Sequence, residues 1–214
     1  MLVTKLIENP QFLEKKKHFF LQVNKDKNLE WTEIFQNDHP VFLEIGSGKG
    51  EFISEYALLH SDWNFIGFEL KQKRVEIILR KLNLEKHNNV RVATIKIDAE
   101  IEKIIQSGSV AGVFIQHPDP WPKRKHFKRR LVQQDLIDAL SKIIIPKGFI
   151  QISTDHAEYA NWIWKEFSLR RDFKSNSLDG ISESPLLDEH VVTFYEREQR
   201  RLGFAPRHML FEKI

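Results

Sequence analysis

The sequence predicts an α/β domain, with a mostly parallel sheet, helices on both faces and an antiparallel strand at its C-terminal edge. Three observations carry this. Short apolar runs rich in β-formers recur along the chain, stretches of helical period separate them, and the first run ends in a glycine-rich turn.

The first strand is "VFLEI" (41–45), without polar alternation, as a strand covered on both faces requires. Glycines follow, then an amphipathic stretch from Glu51 to Leu59. "NFIGFEL" (64–70) is the second strand, and "KRVEIILRKLNLEK" (73–86) has the helical period. "VRVATIKI" (90–97) and "VAGVFIQ" (110–116) are strands, with helical "EIEKIIQ" (100–106) between them. "RLVQQDLIDALSKII" (130–144) is a helix, and Pro146, Lys147 and Gly148 break the chain before "FIQIST" (149–154). "AEYANWIWKEF" (157–167) is again helical. In the tail, "HVVTFYEREQRRLG" passes from strand to helix and "RHMLFEKI" closes the sheet. Residues 40–214 therefore read as one domain. Residues 1–39 read as an extension whose Phe12, Phe19, Phe20, Trp31 and Phe35 pack onto it.

Among 214 residues there is no cysteine, which excludes disulfides, thiolate metal sites and a cysteine nucleophile. No apolar run approaches a membrane span, and the expectation is a cytoplasmic protein with neither membrane nor metal as a partner. The net charge is only +3, but cations crowd into 123–130 and recur at Arg197, Arg200, Arg201 and Arg207, as a polyanion-binding protein would arrange them.

"LEIGSGKGEF" (43–52) runs from the first strand into Gly46, Gly48 and Gly50. Glycines there permit a tight turn and close approach to a ligand at the carboxyl edge of the sheet. The spacing is neither a dinucleotide fingerprint, since position 51 is Glu, nor a phosphate loop, since Lys49 is followed by Gly50. Glu44 and Glu51 flank the turn, which suits a cationic amine and ribose hydroxyls better than a pyrophosphate. Glu69 ends the second strand, where a carboxylate can accept from both ribose hydroxyls, and Asp98 ends the third, where it can receive an adenine amino group. Each alone has a structural alternative, such as a helix cap at Asp98. Acids on successive strand ends around G-x-G-x-G favour a cofactor site, and together they resemble the class I S-adenosylmethionine-dependent methyltransferases.

After the fourth strand comes "HPDPWPKRKHFKRR" (117–130). Pro118 and Pro120 restrain Asp119, and Trp121 either stacks on a planar acceptor or anchors the loop. The cations of 123–130 either track a phosphate backbone or form a solvated face. Thr193 and Glu196 have the spacing of a capping box, and Asp155 with Glu158 reads as a cap for the helix beyond.

"PDPWPKRKHFKRRL", with "LEIGSGKGEF", "TDHAEY" (154–159) and "TFYEREQRRLG" (193–203), closely resembles the signature of bacterial-type tRNA (guanine-N7-)-methyltransferases over roughly residues 40 to 214. The resemblance implies the Rossmann-like class I methyltransferase fold, S-adenosyl-L-methionine as methyl donor, and methylation of a guanine N7 in the variable loop of tRNA. It implies cofactor contacts from Glu44, Glu69, Asp98 and Asp119 around the turn of Gly46, Gly48 and Gly50, with Asp119 also catalytic. It assigns Lys123, Asp155 and the run Thr193, Phe194, Tyr195 and Glu196 to the substrate. Arg124, Arg129 and Arg130 are expected along the tRNA backbone. His117 departs from the small or aromatic residue usual at its position. Another nitrogen methyltransferase, or an inactive RNA-binding protein on the same scaffold, remains an alternative.

Overall fold

The computed structural model describes residues 9–177 and 179–214, so the first eight residues of the N-terminal extension lie outside the described residues. The described residues form a sheet of seven strands in the order β3-β2-β1-β4-β5-β7-β6. The strands are β1 (Val41–Ile45), β2 (Asn64–Glu69), β3 (Val90–Thr94), β4 (Val110–Gln116), β5 (Ile144–Thr154), β6 (Phe173–Ser175) and β7 (Arg207–Lys213). β1 to β5 are parallel, and β7 runs antiparallel to both β5 and β6. Chain order reverses between β1 and β4, and a crevice at the carboxyl ends of those two strands is where such sheets bind ligands. The glycine turn leaves β1 there, and the Asp119 loop leaves β4 there.

The helices are α1 (Pro10–Phe19), α2 (Trp31–Phe35), α3 (Glu51–Leu59), α4 (Gln72–Lys81), α5 (Gln134–Ile143), α6 (Ala157–Ser168) and α7 (Phe194–Arg201). One sheet face packs on α1, α3 and α4 through Phe19, Phe52, Tyr56 and Ile78. The other packs on α2, α5 and α6 through Phe35, Leu136, Leu140 and Ile163. Helices on both faces leave β1 fully buried, which is why it lacks alternation. Residues of the extension are stitched to the sheet. Phe12, Phe19 and Phe35 are buried, Leu21 N donates to Val92 O at 2.8 Å, and Trp31 Nε1 donates to Ser109 O at 3.0 Å. Each buried phenylalanine contributes about 1.5–3 kcal/mol.

Several boundaries differ from the sequence reading. The stretch 124–129 is a 3-10 helix, and α5 begins only at Gln134. β3 stops at Thr94 and α4 at Lys81. The Pro146–Gly148 break lies inside β5, where the register with β4 shifts and Lys147 adopts φ 65°. No strand precedes α7 in residues 190–193. β7 has the expected antiparallel direction, but the edge position belongs to the three-residue β6, which is too short to carry an alternating pattern.

Candidate functional site

The turn after β1 places Gly46, Gly48 and Gly50 at φ 84°, 56° and 73°. Gly50 has no substitute, because a Cβ there would lie 2.7 Å from Ile78 Cγ1 of α4 as well as in the left-handed region. It thereby lets α4 pack against the start of α3. Glu44, on β1 just before the turn, is buried, and its Oε2 has no hydrogen-bond partner among the described residues. Burial pushes its carboxyl up from 4.5 to about 7. A buried carboxylate oxygen without a partner, two residues from three left-handed glycines, fits a ligand that brings a cationic amine. Because folding raises this pKa, the native state keeps a proton that the unfolded chain has lost between pH 4.5 and about 7. The stability of the ligand-free protein therefore falls as pH rises through that window.

Glu69 has a job already. Its Oε2 accepts from Gly48 N and its Oε1 from Lys71 N, both at 2.9 Å, and Arg74 stands 3.6 Å away. The carboxylate thus fixes the turn, and each oxygen keeps a lone pair for a hydroxyl. Asp98 realises its capping alternative, accepting from Glu100 N at 3.1 Å, and it pairs with Lys96 at 3.1 Å. It also borders a small cleft in which Ile95, Ile97, Ile101 and Ile104 alternate with the charged Lys25, Lys96, Glu100 and Lys103. Lys25 comes from the N-terminal extension and carries no motif that would have marked it.

At the carboxyl end of β4 the backbone is strained twice, at His117 (φ 48°) and Trp121 (φ 43°), on either side of Asp119. Asp119 is exposed and accepts no hydrogen bond from the described residues. Trp121 is half-buried, with the Arg129 guanidinium 5.1 Å above its ring and His126 edge-on at 5.6 Å. Lys123, Arg124, Lys125, Lys128 and Arg129 are exposed along the 3-10 segment.

Arg130 departs from the expected phosphate strip. Its side chain is 0% exposed, and the guanidinium lies 3.6 Å from the Phe127 ring centroid, 4.9 Å from Trp162 and 5.1 Å from Tyr159. Nε donates to Pro120 O at 2.9 Å and Nη2 to Glu158 Oε1 at 3.1 Å. A cation sealed among three aromatic rings cannot reach a phosphate. It holds the peptide next to Asp119 instead.

Beyond β5, Asp155 is not a helix cap. The His156 ring caps α6 by accepting from Tyr159 N at 3.2 Å. Asp155 accepts from Tyr195 Oη at 3.3 Å and stands 3.6 Å from His117 Nδ1. Burial, then the negative charges of Asp155 and Asp119, push the Tyr195 phenol up to about 12. Thr193 does cap α7, its Oγ1 accepting from Glu196 N at 3.2 Å. Glu196 differs from the expected substrate contact. It is buried, accepting from Arg200 Nε at 2.8 Å and lying 3.0 Å from His190 Nε2, so it braces α7 from inside. The first amide of α7, Phe194 N, donates to Glu51 Oε2 of α3 at 2.6 Å. The fold thus brings together the turn, the Asp119 loop, Asp155, Thr193 and Tyr195. It sets Arg130 and Glu196 behind them as supports.

Comparison with known proteins points the same way. A family model described as "Putative methyltransferase" matches residues 38–206. A tRNA (guanine-N(7)-)-methyltransferase from Oenococcus oeni is 32% identical over 193 residues, 87% of this chain and 88% of that protein. One from Mycoplasma capricolum is 33% identical over 186 residues, covering 84% of each. Among solved structures, an aminoglycoside resistance methyltransferase aligns with a TM-score of 0.57 at 14% identity, covering 91% of this chain and 95% of that one. A 16S rRNA methyltransferase aligns at 0.60 with 12% identity, covering 86% and 92%. At those identities the structural likeness is one of fold.

Proposed function

This chain belongs to the tRNA (guanine-N(7)-)-methyltransferase family, and from that membership we propose how its residues divide the work. The protein transfers a methyl group from S-adenosylmethionine to N7 of a guanine in tRNA. We place that guanine in the variable loop, and the enzyme in the cytoplasm. Residues 40–214 form the methyltransferase domain, and 1–39 form an extension that lends Lys25 to the adenine cleft.

S-adenosylmethionine supplies a methyl group on a positively charged sulfur. Around it, Glu44 faces the amine, the turn of Gly46, Gly48 and Gly50 follows the backbone of the ligand, and Glu69 takes the ribose hydroxyls. Asp98 borders the adenine. Guanine N7 carries a free lone pair at neutral pH and needs neither deprotonation nor a covalent enzyme intermediate, which matches a chain with no cysteine. As the methyl moves, positive charge appears on the purine, and the Asp119 carboxylate offsets it. Asp155, Thr193 and Tyr195 orient the base, with Phe194 at the rim. Lys123, Arg124 and Arg129 meet the phosphates, and Arg130 and Glu196 act by positioning.

The observation that carries this assignment is Asp119, exposed and without a hydrogen-bond partner among the described residues, on a loop whose Pro120 carbonyl is clamped by buried Arg130. The test is incubation with labelled donor and unmodified tRNA, followed by nucleoside analysis. The expected label is in 7-methylguanosine, and label in any other nucleoside sinks the reading.

Two further outcomes are expected. Donor binding should climb about tenfold per pH unit below the raised Glu44 value of about 7 and level above it, because the amine pairs only with the ionised carboxyl. Glu44→Gln should bind more weakly and flatten that limb in calorimetric titrations. Neutralising Arg124 and Arg129 together should reduce the log–log salt slope of tRNA binding by about 0.7–0.9 per lost phosphate contact, with donor affinity unchanged. An unchanged slope would return these side chains to a merely solvated face.

A further inference from the structure

Glu51 opens α3 directly after Gly50, so any movement of the glycine turn moves its carboxylate. That carboxylate does not stay with its own helix. Oε2 accepts from Phe194 N at 2.6 Å across 143 residues of sequence, while Lys81 Nζ of α4 lies 3.9 Å from Oε1. A charged acceptor on the first amide of a helix is favoured both by the exposed N–H and by the helix dipole. A second contact joins the same two segments, with Lys49 Nζ 5.8 Å from the Phe194 ring centroid. From Phe194 the chain continues to Tyr195, whose hydroxyl reaches Asp155, which in turn neighbours His117 at the head of the Asp119 loop. The turn, α7, the end of β5 and the end of β4 are thereby joined through polar and aromatic contacts.

We propose that Glu51 is a positioning residue through which occupancy of the donor site is transmitted to the tRNA-contacting start of α7. This rests on the assignment of the glycine turn to the donor and of residues 193–195 to tRNA. Whatever fixes the turn fixes the first turn of α7, so the two ligands bind cooperatively, and by linkage each strengthens the other by the same factor. Glu51 itself holds the helix and leaves the donor to Glu44 and Glu69.

The test compares tRNA dissociation constants with and without saturating S-adenosylhomocysteine. In the unaltered protein the product is expected to tighten tRNA binding by about fivefold or more. Glu51→Ala is expected to bring that ratio to about one, with S-adenosylhomocysteine affinity in the absence of tRNA within about twofold of normal. Glu51→Gln keeps an acceptor oxygen without the charge and is expected to fall between the two. It carries the comparison alone if the alanine variant does not fold. Three results overturn the proposal: no coupling in the unaltered protein, full coupling in both variants, or full coupling with weakened S-adenosylhomocysteine binding, which makes Glu51 a donor ligand. The measurement needs no turnover, so intact coupling without 7-methylguanosine formation would refute the proposed function and leave the linkage standing.

Discussion

Asp119→Asn is expected to lower single-turnover methylation by about 10²–10³-fold at saturating tRNA and donor, with both affinities nearly unchanged. Asparagine preserves the size of the side chain and an acceptor oxygen, so the loop keeps its shape and only the charge is lost. That isolates the electrostatic contribution, because guanine N7 has no proton for a base to remove. Asp119 is exposed in the free protein, and its charge gains force when bound RNA excludes water around it. Asp155, which accepts from Tyr195 Oη at 3.3 Å and stands 3.6 Å from His117 Nδ1, adds a second carboxylate near the head of the same loop. A rate within about threefold of normal would reduce Asp119 to a loop residue.

Arg130→Ala is expected to destabilise the protein by about 2–4 kcal/mol in urea denaturation, a large effect for a residue in a basic run. The substitution removes a guanidinium from between Phe127, Tyr159 and Trp162, leaves a cavity, and frees the Pro120 carbonyl. Methylation should fall as well, since the loop bearing Asp119 loses its clamp. The salt slope of tRNA binding should not change, which separates Arg130 from Arg124 and Arg129. Arg130→Lys keeps the charge but loses the planar stack and the fork, so it should recover less than half of the lost stability. A loss below about 0.5 kcal/mol would place Arg130 back on the surface strip.

Near neighbours in the chain were the most legible. The runs at 41–45 and 110–116 needed only their composition, and the turn only its glycines and the acids beside them. The Thr193 cap is set by a spacing of three residues. Asp98 carried two readings, and the structure satisfies the local one, a backbone amide two residues on. The stretch 157–167 was legible as a helix, but the aromatic face that Tyr159 and Trp162 share one turn apart on it, and the guanidinium enclosed there, were not.

By itself, then, the amino-acid order determined the parallel core, the crevice-forming turn, the rigid acid after the fourth strand and the cationic character of residues 123–130. These depend on backbone propensity and periodicity, which act over a few residues. The tertiary structure alone decided which of the crowded cations is withdrawn from solvent, that Glu196 braces α7 from within, that Asp155 belongs to Tyr195 and His117 rather than to a helix start, and that Glu51 reaches Phe194. It also decided the outer edge, where β6 lies beyond the C-terminal strand. The physical reason is the same in each case. Burial and partnership of a polar side chain are set by surfaces that come together from distant parts of the chain, and identical letters in one basic run acquire opposite roles according to which surface they meet.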